Sequence, residues 1–485
     1  MINLKSIKEL IMKLLKSVLK PFLFLSFLSF SVFANNITVT NVSIVNVSGG
    51  IAEIQFDLSW SNSWRYTEVT SERYITNHDA AWVFIKFRVG VEWQHAWLTS
   101  SGHSPSAGAK IDISSNGGDT NVGAFVYRSA DGNGNFVCNN MRLRWDYSKN
   151  GLTQTNNVDI SVHAIEMAYI PERKFYVGSG GAESFCFYKY PNSTEPYYIT
   201  NAGAINVGAN TGELYYSSGG DRTGPIPAAF PNGFSAFYCM KYEISQGQYA
   251  QFLNYLPGGY DFQHYPDKYG LSRHTIHLSN GTYFADAPDR ACNWLSWADV
   301  YAYLDWSGLR PMSELEFEKT CRGHLAPIPN EYAWGDTVIV RAQSFDGVDG
   351  SGTETVHEVT ANCNYNNGIP GPIRVGIFAK PGTIRHQSGA GYYGVMELSG
   401  NLEERIVAVG NSTGRGYIGN HGDGSMLTAI PSWPSSTTAT GMGLRGGQYT
   451  SNNEKYFRTS DRGYATTANS ARYAHIGGRG IRSAQ

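Results

Sequence analysis

The feature that most limits what this chain can become is the scarcity of helical period after Gly323. From there to the closing Gly480-Ile-Arg482 the sequence is dense in Gly, Asn, Ser and aromatic residues, with no sustained apolar stripe. A compact domain carries so long an irregular stretch only where function or a bound ion ties it down. Paired glycines at Gly446-Gly447 and Gly477-Gly478 bracket its last part, Thr450 to His475, which is poor in core formers and rich in Ser, Thr, Asn, Asp, Arg and Tyr. Glycine allows positive φ and close approach of neighbouring backbone. The bracketed segment therefore reads as irregular backbone pinned at both ends and available for contacts.

The stretches before it have clearer periods. Ser245 caps a helix that places Tyr249, Phe252, Leu253 and Leu256 on one face and ends at Pro257-Gly258-Gly259. The capping boxes Ser296-Trp-Ala-Asp299 and Ser313-Glu-Leu-Glu316 open two more helices, which stop near Gly308 and Gly323. Composition predicts long loops over about 182–232. From Asn36 to about Ile165 strand follows strand: Ile37 to Val47 and Ile51 to Trp60 alternate apolar and polar residues about Gly49-Gly50, a hairpin signature. No helical period intrudes, which predicts an antiparallel β-sandwich. Trp60, Trp64, Trp82, Trp93, Trp97 and Trp145 read as core and strand-pair residues rather than a surface row for stacking sugars.

With 485 residues the chain exceeds one ordinary core. Charged residues are only 16% and net charge is −2, with no basic run beyond the N-terminus, so electrostatic nucleic-acid binding has no footprint. Residues 1–34 have the parts of a secretory signal: Lys5, Lys8, Lys13, Lys16 and Lys20, then the apolar run Phe22 to Phe33, then Val32-Phe-Ala34 for a peptidase. This predicts export to periplasm, cell surface or medium, with no transmembrane segment after signal removal. Cys138, Cys186, Cys239, Cys292, Cys321 and Cys363 are even in number but widely spaced, so pairing stays open alongside buried free thiols.

Chemistry-bearing clusters are few. Glu397 and Glu404 flank a tight turn in Gly394-Val-Met-Glu-Leu-Ser-Gly-Asn-Leu-Glu-Glu-Arg405, and the carbonyls of Gly400 and Leu402 could face the same point, a set of hard oxygens suited to Ca²⁺. His274 and His277 lack a third ligand. Asp461, Arg462 and His475 could form an acid–base group, but no serine elbow or reactive cysteine accompanies them, and ion pairs holding loops account for them as well.

Taken together, Met167-Ala-Tyr-Ile-Pro171, Lys241-Tyr-Glu-Ile-Ser-Gln-Gly-Gln-Tyr-Ala-Gln-Phe-Leu253, Gly308-Leu-Arg-Pro-Met-Ser-Glu-Leu-Glu-Phe-Glu318, Tyr332-Ala-Trp-Gly-Asp336, Gly400-Asn401, Leu444-Arg-Gly-Gly447 and Gly480-Ile-Arg482 resemble, in order, the formylglycine-generating (sulfatase-modifying factor) domain. The resemblance covers 166–485 and implies a C-type-lectin-like fold, low in regular secondary structure and typically holding structural Ca²⁺. One family calcium loop maps onto Glu397, Gly400, Leu402 and Glu404, and a second falls near Asn362 and Cys363. Active members carry a copper-binding cysteine pair shortly after the Gly-Gly pair. Here about Ser451 and Tyr456 stand there and no cysteine follows Cys363, so no copper is expected. The family tryptophan after Gly-Asn is replaced by Glu403. Iron-dependent relatives need a helical histidine-bearing domain, and a β-sandwich takes its place.

The expected architecture is α+β: an N-terminal sandwich over 35–165 and a formylglycine-generating-enzyme-like domain over 166–485. The expected role is binding of a protein or glycan ligand through Tyr449, Ser451, Asn452, Asn453, Tyr456, Arg458, Asp461, Arg462, Tyr464 and Tyr473, residue types that adaptable recognition surfaces use. Related lectin-fold proteins diversified by retroelements vary this same segment. Two alternatives stay open: an enzyme using another centre near Glu403, Asp461 and His475, and a structural part of a bacterial surface, secretion or gliding assembly.

Overall fold

The computed structural model of the protein describes residues 37–69, 74–116, 120–380, 382–425 and 429–485; the expected signal segment lies outside them. Strands β1 (Thr38–Ser48), β2 (Ile51–Val69), β3 (Tyr74–Val89), β4 (Glu92–His95), β5 (Ala109–Ser115), β6 (Asn121–Arg128), β7 (Gly132–Asp146) and β8 (Asp159–Ile170) follow in sequence. Gly49 and Gly50, at φ 60° and 85°, make the expected β1–β2 hairpin. On β2 the period of two is plain: Ala52, Ile54, Phe56, Leu58 and Trp60 are buried in the sandwich core.

Strand β3 behaves differently and organises the molecule. Ala81, Val83, Ile85 and Phe87 face the sandwich core, while Ala80, Trp82 and Phe84 face a second core built with the C-terminal half. An unbroken apolar run is what a strand buried on both faces requires. Beside it, β8 pairs antiparallel with β3 from Asp159 to Ala168 and with β13 (Phe237–Met240) through Met167, Ala168, Tyr169 and Ile170. The boundary expected between 165 and 166 thus falls inside one strand. A ten-stranded sheet runs β1-β2-β3-β8-β13-β21, ending on β21 (Ile481–Ser483), with β7 on β2, β4 and β6 on β3, and β5 on β6.

Between β8 and β13 lie β9 (Phe175–Val177), β10 (Phe187–Lys189), β11 (Tyr197–Ile199) and β12 (Leu214–Tyr216), paired β9 with β11 and β10 with β12. The stretch expected as loops over 182–232 therefore carries short strands, and Phe187, Ile199, Leu214, Tyr216 and Ile226 anchor it in the core. Three helices follow as expected: α1 (Gln246–Asn254), α3 (Trp297–Trp306) and α4 (Glu314–Arg322), each opened by a complete capping box from Ser245, Ser296 and Ser313. A short α2 (Tyr260–His264) begins just after the glycine pair that ends α1 and was not anticipated. Strands β14 (Ile276–Ser279), β15 (Thr282–Ala285), β16 (Met312–Ser313), β17 (Phe345–Asp346), β18 (Thr355–Val356), β19 (Glu404–Val407) and β20 (Met442–Arg445) complete the set, and β16–β19 pair in parallel. Strand content is 34% and helix 10%, an α+β fold of antiparallel sheets with the low regularity of a C-type-lectin-like domain.

The irregular half is tied down largely by buried arginines. Arg445 bridges Glu314 (3.1 Å) and Glu318 (3.0 Å); Arg462 grips Glu314 through Nε (2.8 Å) and Nη2 (3.0 Å). Arg322 pairs with Glu331 and Glu318, and Arg405 donates to the carbonyls of Leu295, Asn469 and Ala471. A guanidinium carries five donors and no acceptor, so one side chain satisfies several carbonyls that no helix or sheet would pair. All six cysteines are buried and unpaired, and burial raises their thiols, Cys186 to about 11 and Cys321 to about 12.

The two halves meet without a linker. Trp82 Nε1 donates to Ser307 O at 2.7 Å, buried Lys86 donates to Trp306 O at 2.7 Å and Gly424 O at 3.0 Å, and the Arg482 guanidinium lies 4.6 Å from the Trp82 ring centre. Among the described residues no helix is long and apolar enough to cross a membrane.

Candidate functional site

Strand β20 pairs antiparallel with β19 and delivers the chain to Gly446 and Gly447, at φ 92° and 73°. A Cβ on Gly447 would stand 2.5 Å from the Phe457 ring, so glycine is required twice over, by conformation and by space. A single 3₁₀ turn, Glu454–Phe457, follows, the Lys455 amide capped by the Asn453 side chain. The second glycine pair works through space alone: a Cβ on Gly477 or Gly478 would meet Leu402 at 2.8 Å or Val300 at 2.7 Å.

The segment divides its expected contact residues in two. Asn452 and Asn453 are exposed, Tyr464 and Tyr473 are about 40% exposed, and Ser451, Tyr456 and Arg458 are half-buried. Tyr456 and Tyr464 form a tilted ring pair 5.0 Å apart. Tyr449, Asp461 and Arg462 are buried. Tyr449 packs with Tyr242, Ala291, Val375, Met396 and Leu402, and Arg462 is sandwiched between Phe187 and Tyr216 at 4.1 Å from each while bound to Glu314. These two serve the scaffold, a correction to their expected place on the surface. Asp461 turns its Oδ1 to the Gly463 amide at 3.0 Å.

Below the segment lies Glu403, in the position where the family resemblance places tryptophan. It is buried, and burial raises its carboxyl to about 7. Its Oε2 lies 3.9 Å from His475 Nε2, and the two backbones join through Glu403 N to His475 O at 2.9 Å. Burial likewise raises Asp461 and lowers His475. His274, by contrast, is buried against Asn293 at 2.9 Å, and His277 lies 3.6 Å from Asp286.

The expected calcium loop has its own geometry. Glu397 and Asn401 adopt φ 54° and 64°, a conformation that is costly for glutamate and marks a loop held by its surroundings. Glu397 Oε1 accepts from Gly376 N at 2.7 Å, and Glu404 Oε1 accepts from Arg479 at 2.7 Å and 2.9 Å. Glu397 Oε2 and Glu404 Oε2 are buried without hydrogen-bond partners among the described residues. Burial raises both carboxyls, Glu397 to about 7, and also that of Glu243, which accepts from Asn401 Nδ2 and Leu402 N. Three buried carboxyls face one guanidinium, and two orphaned oxygens suit a hard cation. Among the described residues, however, no three His, Cys, Asp or Glu side chains converge as they would around a bound ion. The second expected site fits less well: Asn362 Oδ1 is taken by Val340 N at 2.9 Å, and the neutral Cys363 thiol donates to Ser399 O.

A lectin-like core closed by an Arg-Gly-Gly strand end defines a class of scaffold. Residues 191–484, more than half of the chain, match the sulfatase-modifying factor enzyme 1-like domain, FGE-sulfatase, and the chain belongs to that family. A formylglycine-generating enzyme from Thermomonospora curvata is 29% identical over 124 residues, which are 26% of this chain and 35% of that protein. The chain thus spans about a third of the length of that curated relative.

Proposed function

We propose that the protein is an exported binding module of this family, using the scaffold for recognition of a protein or glycan ligand in place of copper-dependent oxidation. The observation that carries this reading is the division of the C-terminal segment. Asn452, Asn453, Tyr464 and Tyr473 stand exposed on backbone held rigid from beneath by Tyr449 and Arg462. A surface whose side chains are ordered in advance loses less entropy on binding. A copper–thiolate centre does not fit: hydroxyls of Ser451 and Tyr456 stand where the resemblance places thiols, and the nearest cysteine in sequence is Cys363.

Calcium belongs to the same reading as a structural ion. Glu397 and Glu404, with the carbonyls of Gly400 and Leu402, would hold it, and its charge would offset the excess of buried carboxylate around Arg479. Metal analysis of the purified protein, with thermal melting in calcium and in chelator, tests this part. Stoichiometric calcium whose removal lowers the melting temperature supports it; stoichiometric copper with oxidase activity overturns the whole reading.

Recognition is tested by ligand screening of the same protein with Tyr464→Ala and Tyr473→Ala. Both variants should melt as wild type does and lose the ligand found. A second reading, acid–base chemistry at Glu403, draws on the raised carboxyl beside His475. Turnover abolished by Glu403→Gln would favour it over binding alone.

A further inference from the structure

The seam between the two halves contains a cleft that the C-terminal segment does not touch. Its volume is about 230 Å³, and its lining comes from β2 (Arg65), β3 (Thr76, His78), β5 (Asp112), β6 (Phe125, Tyr127), β8 (Tyr169) and β13 (Tyr238). The aromatic wall is rigid. His78 stacks between Tyr127 at 4.5 Å and Tyr169 at 4.8 Å, and Phe125 stacks on Tyr238 at 3.7 Å.

The polar atoms of this wall are incompletely used. His78, 4% exposed, places Nδ1 at 3.0 Å from Asp79 O. Only a protonated Nδ1 can donate there, so Nε2 is left as an acceptor. Tyr238 is also 4% exposed. Neither His78 Nε2 nor the Tyr238 hydroxyl has a hydrogen-bond partner among the described residues. Asp112 also lines the cleft, its Oδ2 accepting from the Tyr127 hydroxyl at 2.6 Å. Two further polar groups nearby are engaged: Ser114 Oγ accepts from Arg482 at 2.7 Å, and Gln485 is tied to Ser115. More than nine-tenths of His78 and of Tyr238 is removed from bulk water, and both residues line the cleft.

We infer that this cleft binds a neutral pyranose ring, whose hydroxyls donate to His78 Nε2 and Asp112 and meet the Tyr238 hydroxyl. A ring bearing several hydroxyl donors matches a set of free groups that are chiefly acceptors, and its C–H side suits the aromatic wall. Asp112 and Arg65 bring opposite charges to the lining, which favours a neutral ligand over an ion of either sign. Burial holds His78 near pKa 4, so the acceptor persists at neutral pH.

The test is titration calorimetry and saturation-transfer NMR on the whole mature protein with methyl glycosides of glucose, galactose, mannose, xylose and N-acetylglucosamine. Saturable binding of at least one is expected. Asp112→Ala should weaken it roughly tenfold. Thr76→Trp, which fills the mouth from the half-buried β3 position, should abolish it without changing the thermal melt, and Tyr464→Ala should leave it intact. Failure of every glycoside to bind at millimolar concentration overturns the proposal. So does binding that survives Thr76→Trp, or binding that is lost only with Tyr464→Ala.

Discussion

Removing one charge at Glu314 should unfold much of what the arginine network holds. The carboxylate is fully buried: Oε1 accepts from Arg445 Nη1 at 3.1 Å and Arg462 Nε at 2.8 Å, and Oε2 from Arg462 Nη2 at 3.0 Å and Val409 N at 3.3 Å. Glu314→Gln keeps the shape but leaves the buried Arg462 guanidinium with no carboxylate among the described residues and Arg445 with Glu318 alone. Breaking a buried pair on one side costs about 3–5 kcal/mol, because the surviving charge stays dehydrated and unpaired. For a chain of this length that corresponds to a fall in melting temperature of roughly 3–5 °C. Urea unfolding followed by tryptophan fluorescence, with thermal melting by circular dichroism, reads both quantities. The double change Glu314→Leu with Arg462→Met removes the carboxylate together with the arginine that has no other one, and should be less destabilising than the sum of its parts by about 1–3 kcal/mol. A Glu314→Gln protein within about 1 kcal/mol of wild type would refute the argument, since that is the scale of an exposed pair.

Other outcomes follow from geometry already given. Gly400→Ala should cost several kcal/mol or prevent folding, because its Cβ would stand 2.2 Å from Cys363 Sγ at φ 94°; soluble yield and melting temperature report it. Burial lowers His274 from 6.5 to about 4, so the unfolded state binds the extra proton between those values. Wild-type stability relative to His274→Gln should therefore be full above pH 6.5 and decline as pH falls to 4, by on the order of 3 kcal/mol, in urea titrations of the two proteins side by side. A fragment beginning at residue 166 should aggregate, because it cuts β8 and removes β3, baring the β8 edge at Met167 and Ala168 and the core that Ala80, Trp82 and Phe84 fill, as size-exclusion chromatography would show.

Features with short reach were legible in the sequence. Each capping box spans four residues, and the alternation on β2 is set by one face of one strand, so both could be read locally and both stand. What escaped depends on distant partners. Arg462 sits in a polar stretch and reads as exposed, yet the carboxylate that buries it is 148 residues away in sequence. Tyr449 looks like a contact tyrosine until Tyr242 and Val375 close over it. The apparent break near residue 165 follows a change in composition, whereas β8 continues through it because β3 and β13 supply hydrogen bonds on either side. The carboxylates of the 394–405 loop were legible as a pair close enough to feel each other, Glu397 and Glu404, but Arg479, which pairs with Glu404, lies beyond any motif of that loop.

The shared strand has a mechanical meaning. A protein whose parts are joined by a flexible connector absorbs a pull by straightening it. Here the path from the sandwich to the lectin-like half runs through β8 and its backbone hydrogen bonds to β3 and β13. Tension on one end is transmitted as load on a sheet, with no slack to take up first. The exposed tyrosines and the far edge of the sandwich are held at a constant angle, as the ends of a strut are.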